Sequence, residues 1–206
     1  MWIKRAFDIA FSATALLLLA PLLAVIALWV RRDSPGPVIY RQERVGRYGQ
    51  LFRIYKFRTM RVGADAAGPQ ITVGADARIT RAGQFLRRTK LDELPQFANV
   101  LCGDMSVVGP RPEVPRYVAL YPTEVAAQVL SVRPGITDLA SLAYRDESEV
   151  LARSSDPERA YVQEILPAKL QYACQYVRER SLWLDLRIIS RTAAAVFSAP
   201  ADPQKP

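Results

Sequence analysis

Residues Ile9–Val30 form a run of 22 residues without a single charge. As a helix this run is about 33 Å long, close to the hydrocarbon thickness of a bilayer. Lys4 and Arg5 precede it, and Arg31 and Arg32 follow it. A secretory leader is the rival reading of a basic start before an apolar run. Against it, the run is long, no small-residue cleavage site follows, and Arg31-Arg32 come directly after. Positive charge at both ends gives no orientation under the positive-inside rule. Pro21 lies within the run, where it removes a backbone hydrogen bond and bends a helix. Two arrangements fit these residues. In one, the helix enters the bilayer, breaks at Pro21 and returns to the cytoplasmic face. In the other, a kinked helix spans the membrane.

After the run the pattern changes. Val38–Gln42 and Leu51–Phe57 alternate β-branched and aromatic residues around a Gly46–Gly49 turn, which predicts a hairpin. Its second strand ends in positive charge at Arg53, Lys56 and Arg58. Gly63–Gly74 reads as a Gly- and Ala-rich loop. A short helix is expected over Ile79–Arg88 with Thr80 as N-cap. Asp92 then reads as the cap of a helix running through Val100 and Leu101 to a stop at Gly103, with Pro95 in its first turn. Short helices are expected at Pro115–Tyr121 and Thr123–Val132, a turn into an extended piece at Arg133–Thr137, and longer helices at Asp156–Glu179 and Leu182–Phe197. The last is apolar enough to be either a core helix or one lying in the membrane interface. Ala199–Pro206 is Pro-rich and reads as a disordered tail. No internal repeat is present. The fold class is therefore mainly α with a small β-hairpin: a membrane helix over residues 1–33, a compact domain with interfacial helices over 34–198, and a tail over 199–206.

Composition narrows the chemistry. The chain has no histidine, so His triads, His metal sites and imidazole acid–base work are excluded. Its two cysteines, Cys102 and Cys174, have no metal-ligand or disulfide spacing, which suits reduced thiols facing the cytosol. The net charge of +8 rests on 28 basic residues, most of them arginine, whose planar fork matches phosphate. A GC-rich genome yields the same bias.

The chemically suggestive residues concentrate in Thr89–Glu113. Asp92 and Glu93 are adjacent, so on a helix they project about 100° apart and are not a symmetric dyad. They can divide the work, one attacking phosphorus or binding a metal and the other positioning it. An ordinary helix start uses the same residues. Arg111 lies between Pro110 and Pro112, which restrict the backbone and present the guanidinium at low entropic cost; a rigid structural loop is the plain alternative. Arg87, Arg88 and Lys90 sit just before the carboxylates, where they can neutralise them, bind phosphate or form a solvated basic face.

Taken together, the proline-interrupted helix, K-F-R-T-M at Lys56–Met60, L-D-E-L-P-Q at Leu91–Gln96, the stretch Asn99–Pro112 and R-P-G-I-T at Arg133–Thr137 resemble the bacterial sugar transferases, the small monotopic polyprenyl-phosphate phosphoglycosyl transferases. The resemblance runs from Lys4 to about Thr192. It implies an Mg2+-dependent phosphoglycosyl transferase at the cytoplasmic face of the bacterial inner membrane. Such an enzyme moves sugar-1-phosphate from a UDP-sugar to undecaprenyl phosphate, releases UMP and starts glycan assembly. It implies a covalent phosphosugar on Asp92, with Glu93 its partner at the metal. Phosphate contacts are expected from Lys56, Arg58, Arg87, Arg111 and Arg133. The expected partners are the UDP-sugar, undecaprenyl phosphate and membrane lipid, with no nucleic acid and with a homodimer as the candidate assembly. The family's short form has a re-entrant helix broken at Ser-Pro; here the pair is Ala20-Pro21. A second departure is D-L-A-S-L at Asp138–Leu142 and Y-R-D-E at Tyr144–Glu147, where relatives continue with Gly and an aromatic; this segment is expected to bear on sugar choice. The rival functions are a membrane-anchored basic module that binds anionic lipid or nucleic acid without catalysis, and a structural membrane scaffold.

Overall fold

The computed structural model describes residues 2–64, 76–144, 151–152 and 154–197. Most of the loop expected at Gly63–Gly74, the Asp146-Glu147 pair and the tail from Ala199 lie outside the described residues.

Helix α1 covers Trp2–Asp33 and is helical through Pro21. It is long and apolar enough to cross a membrane, and 11% of its most apolar 18 residues are buried. Its buried residues are Asp8 and Ser12 near one end, and Ile26 and Val30 near the other. Between them no residue from Ala13 to Val25 is buried. The helix therefore docks by its two ends. At the first, Lys4 Nζ donates to Asp185 Oδ2 (2.7 Å) and Arg5 Nη1 to the Val100 carbonyl (2.7 Å). At the second, Ile26 and Val30 pack with Phe57 and Leu86, and Asp33 Oδ2 accepts from the Ala82 N–H (3.0 Å).

Strands β1 (Ile39–Val45) and β2 (Leu51–Phe57) form the expected hairpin, in antiparallel register from Ile39 opposite Phe57 to Val45 opposite Leu51. β1 runs three residues past its expected end at Gln42, because Glu43 and Arg44 pair with Arg53 and Phe52 while their backbone stays extended. Tyr48 (φ 59°) and Gly49 (φ 77°) turn the tip.

Helix α2 covers Arg81–Thr89, and Thr80 caps it by accepting from the Gly83 N–H (3.0 Å). A Cβ at Gly83 would fall on the Thr59 carbonyl, so only glycine lets α2 lie this close to the end of the hairpin. Lys90 ends α2 in the left-handed region (φ 58°). Asp92 does not cap the next helix. It sits in a 3-10 turn, Leu91–Glu93, and α3 begins only at Gln96 and runs to Cys102. Pro95 explains the correction. It has no N–H to return to Leu91, so the chain stays in tight i to i+3 turns until the proline is passed. α3 stops at Gly103 (φ 96°), as expected.

β3 (Ser106–Val108) pairs in parallel with β4 (Gly135–Thr137), Ser106 opposite Gly135 and Val108 opposite Thr137. Between them lie two helices shorter than expected, α4 (Pro115–Val118) and α5 (Thr123–Val129). A Cβ at Gly135 would fall on the Gly109 backbone, so the Gly109–Pro112 loop and the start of β4 are in direct contact. α6 (Leu139–Ala143) is capped by Asp138, whose Oδ1 accepts from the Ser141 N–H (2.7 Å). α7 (Pro157–Ala160), a π-turn (Tyr161–Ile165) and α8 (Leu166–Glu179) follow in one helical run, then α9 (Leu182–Phe197). The main core joins Ile54, Val100, Met105, Val107, Val108, Tyr176 and Ile188. It fixes β2, α3, β3, α8 and α9 around the 3-10 turn that carries Asp92.

Candidate active site

The 3-10 turn presents Asp92 and Glu93 to a cavity of about 2300 Å3. Pockets for a single small ligand span roughly 300–1,000 Å3, so this cleft exceeds that range. Pro95 delays α3, and the tight turn before it points both carboxylates inward. Asp92 is 7% exposed.

Glu93 is held by two cations. Lys56 Nζ donates to Oε1 (2.8 Å), Arg111 Nη2 to Oε1 (2.5 Å) and Arg111 Nη1 to Oε2 (3.2 Å). Lys56 comes from β2 and Arg111 from the loop after β3. The turn, the hairpin and the proline-flanked loop therefore meet at one carboxylate. Burial alone would raise Glu93, but Arg111 and Lys56 outweigh it and hold the carboxyl well below its usual range. The Glu93 charge reinforces Arg111 in turn and keeps it protonated.

Asp92 is the opposite case. Burial, and then the Glu93 charge, push it up to about 6. Its Oδ1 is buried and has no hydrogen-bond partner among the described residues. Lys56, Arg87 and Lys90 oppose the rise without cancelling it. Two adjacent carboxylates are thus driven apart, one fixed as an anion and one basic enough to attack yet ionised at neutral pH.

Arg87 reaches the cavity from the last turn of α2, and its Nε donates to Thr59 Oγ1 (2.9 Å). Its two terminal nitrogens donate to nothing among the described residues, which leaves a cationic fork available for an anion. The structure thus brings together Asp92, Glu93, Lys56, Arg87 and Arg111. Arg58 lines the same cavity, but neither its guanidinium nor that of Arg133 bonds to the pair. Arg58 is buried, and its guanidinium grips the end of α1: Nη1 to the Pro35 carbonyl (2.7 Å), Nη2 to those of Ser34 (2.6 Å) and Val30 (3.3 Å). Arg133 Nε closes the end of α3 at the Gly103 carbonyl (2.7 Å). Pro21 lies at the middle of α1, away from both docked ends.

The cavity lining is mixed. Phe11, Ala15, Leu19 and Leu22 line it from α1, at a spacing that places them on one helix face, and Ile189 and Ala193 add apolar surface from α9. Arg44, Glu113, Tyr117, Tyr121 and Tyr161 line it as well. Among the described residues no cluster of three or more Asp, Glu, Cys or His is placed to hold a metal.

The bacterial sugar transferase family model matches residues 1–199 of this sequence. The chain belongs to that family. Among its curated relatives, this bacterial sugar transferase is 40% identical to the UDP-glucose:undecaprenyl-phosphate glucose-1-phosphate transferase of Escherichia coli (strain K12), over 95% of this chain and 40% of that protein. It is 37% identical to the UDP-N-acetylgalactosamine-undecaprenyl-phosphate N-acetylgalactosaminephosphotransferase of Aeromonas hydrophila, over 96% of this chain and 44% of that protein. It thus spans less than half the length of either. The match to the exopolysaccharide production protein PSS of Rhizobium leguminosarum bv. phaseoli covers both chains, at 42% identity over 94% of each.

Sequence reasoning missed the contacts of three residues of this bacterial sugar transferase's cavity, one of them Asp138, whose segment is expected to bear on sugar choice. Asp138 Oδ2 accepts from the Arg111 N–H (3.2 Å), and Arg44 Nη1 donates to the Pro112 carbonyl (3.0 Å). Tyr161 donates to Glu113 Oε1 (2.6 Å). Glu113 next to Pro112 was a signal for the last of these, but its partner lies 48 residues away.

Proposed function

We propose that this chain transfers sugar-1-phosphate from a UDP-sugar to undecaprenyl phosphate, at the cytoplasmic face of the bacterial inner membrane. The observation that carries this reading is Asp92. It is a buried carboxylate with one oxygen unpaired among the described residues, beside a cation-bound Glu93, in a cavity lined in part by an apolar face of α1.

An Asp92 oxygen attacks the β-phosphorus of the donor. The bond from that phosphorus to the bridging oxygen breaks, its electron pair leaves with UMP, and the sugar phosphate remains on Asp92 as an acyl phosphate. A phosphate oxygen of the lipid then attacks the same phosphorus. The bond to Asp92 breaks, the carboxylate is restored, and the lipid diphosphosugar departs. Arg87, with its open fork, takes donor phosphate oxygens first. Arg111 and Lys56 fix Glu93 and add positive charge where the transferring group becomes most anionic. The apolar α1 face leads the prenyl chain to Asp92, while Arg44, Arg87 and Arg111 serve the nucleotide phosphates.

Magnesium fits these residues. Asp92 Oδ1 is an unpaired hard oxygen, and Mg2+ is commonly held by one or two carboxylates together with substrate phosphates. Asp92 would hold it, Glu93 would join only by exchanging a bond to Lys56 or Arg111, and the bound ion would neutralise diphosphate charge.

The contacts of α1 support a re-entrant helix. Its two flanks bind one and the same body, so both lie on one side of any bilayer which that body does not cross. A bend at Pro21 would return the helix to the same leaflet, without the Ser hydroxyl that the family's short form carries there.

The test is UMP release from a panel of UDP-sugars, begun with UDP-glucose and UDP-N-acetylgalactosamine because the relatives' names contain them. The expected result is release that requires undecaprenyl phosphate and Mg2+. Salt-sensitive binding to anionic vesicles with no UMP released would support the non-catalytic module instead.

A further inference from the structure

We propose that Tyr161 is a positioning residue for Arg111, acting by holding Glu113 away from it. This rests on the reading of Arg111 as a residue of the transfer site. Three carboxylates act by charge on the Arg111 guanidinium: Glu93 on the turn, Asp138, which already accepts from the Arg111 N–H, and Glu113 two residues along its own loop. It forks onto Glu93 alone. Glu113 is fully engaged elsewhere: Oε1 accepts from Tyr161 Oη (2.6 Å), and Oε2 accepts from Arg44 Nη1 (3.5 Å) and the Val114 N–H (3.3 Å). The Tyr161 bond is the shortest of these. The loop backbone is pinned as well, by Val45 N–H to the Glu113 carbonyl (2.9 Å) and by Arg44 to Pro112 (3.0 Å).

The helix that carries Tyr161 is shaped for this contact. Tyr161 opens the π-turn Tyr161–Ile165. Pro167, just beyond it, has no N–H for the Gln163 carbonyl and would crowd that carbonyl in an unbroken α-helix. The wider turn absorbs the misfit, and such turns recur at functional sites. Tyr161 is 3% exposed, and its ring packs on Tyr117 at 4.9 Å. The hydroxyl is therefore delivered to Glu113 by a buried, rigid side chain.

Removing the hydroxyl leaves Glu113 with its weaker Arg44 contact and frees it to compete for Arg111. Tyr161→Phe is expected to lower kcat about tenfold with KM for the UDP-sugar unchanged, the size of one hydrogen bond to a charged group. Arg44→Lys, which loosens the other hold on Glu113, is expected to show the same split, and serves if Tyr161→Phe folds poorly. The decisive variant is Tyr161→Phe with Glu113→Gln. With the competing charge gone, it should recover most of the rate lost by Tyr161→Phe alone. A wild-type kcat in Tyr161→Phe, or a double variant as slow as the single one, overturns the proposal. So does a rate loss that only follows a fall in Tm. Arg111→Lys is measured in parallel. If it keeps the wild-type rate, the reading of Arg111 itself fails, and the role of Tyr161 falls with it.

Discussion

The Arg111 guanidinium forks onto both oxygens of Glu93, at 2.5 Å and 3.2 Å, while the Oδ1 of its neighbour Asp92 bonds to nothing among the described residues. One carboxylate is spent on fixing two cations, and the other is left reactive. The division of labour between them rests on environment, since a single peptide bond separates them.

A pH dependence follows. Asp92 titrates at about 6, so kcat/KM should rise with pH through that value and level off above it. Burial is the first cause of the upward shift and the Glu93 charge the second. Glu93→Gln should therefore move the acidic limb to lower pH, whatever its effect on the plateau. A pH–rate profile of both proteins checks this, and an unmoved limb would show that Glu93 does not act on Asp92.

The same shift makes Asp92 a cost to the fold. Its pKa rises from 3.8 to about 6 on folding, so folding binds its proton more tightly than the unfolded chain does. The stability this proton contributes is complete below pH 3.8 and is lost as pH rises through about 6. At neutral pH an ionised, buried Asp92 costs on the order of 2–3 kcal/mol. Asp92→Asn should therefore abolish turnover and raise Tm at pH 7.5, an exchange of stability for activity. Thermal unfolding at pH 4.5 and 7.5 tests the sign, since the gain should shrink at the lower pH.

Arg58 is expected to serve the fold. Its bonds to the carbonyls of Val30, Ser34 and Pro35 tie α1 to the hairpin. Lysine cannot span them with one ammonium. Arg58→Lys should lower Tm while leaving KM for the UDP-sugar unchanged in the folded fraction. A raised KM without loss of stability would return Arg58 to the phosphate-binding set.

Topology is tested with cysteines. In a background carrying Cys102→Ser and Cys174→Ser, single cysteines at Trp2 and Arg32 are probed from outside intact cells. A re-entrant α1 leaves both flanks equally protected. Labelling of one flank alone would establish a spanning helix.

The sequence made much of this legible, for local reasons. The apolar run, the hairpin, the Thr80 cap and the Gly103 stop are written in short-range chemistry, and all are present. Asp92 was misread as a cap because its neighbours suit a helix start, and the missing N–H of Pro95 decides against it. Of the residues expected at phosphate, Lys56 and Arg111 bond to Glu93 and Arg87 lines the cavity beside them, while the guanidinium groups of Arg58 and Arg133 bond to backbone carbonyls; nothing nearby in the chain distinguishes the two kinds of arginine. The contacts of Asp138, Arg44 and Tyr161 went unseen because they join residues 27 to 69 positions apart.

The role of Asp92 is tested most directly by trapping. The protein is incubated with UDP-sugar and Mg2+ in the absence of lipid acceptor, quenched and mapped by peptide mass spectrometry. The expected result is a sugar-phosphate adduct on Asp92 that undecaprenyl phosphate discharges and that Asp92→Asn cannot form. An adduct on another residue, or full turnover by Asp92→Asn, would contradict it.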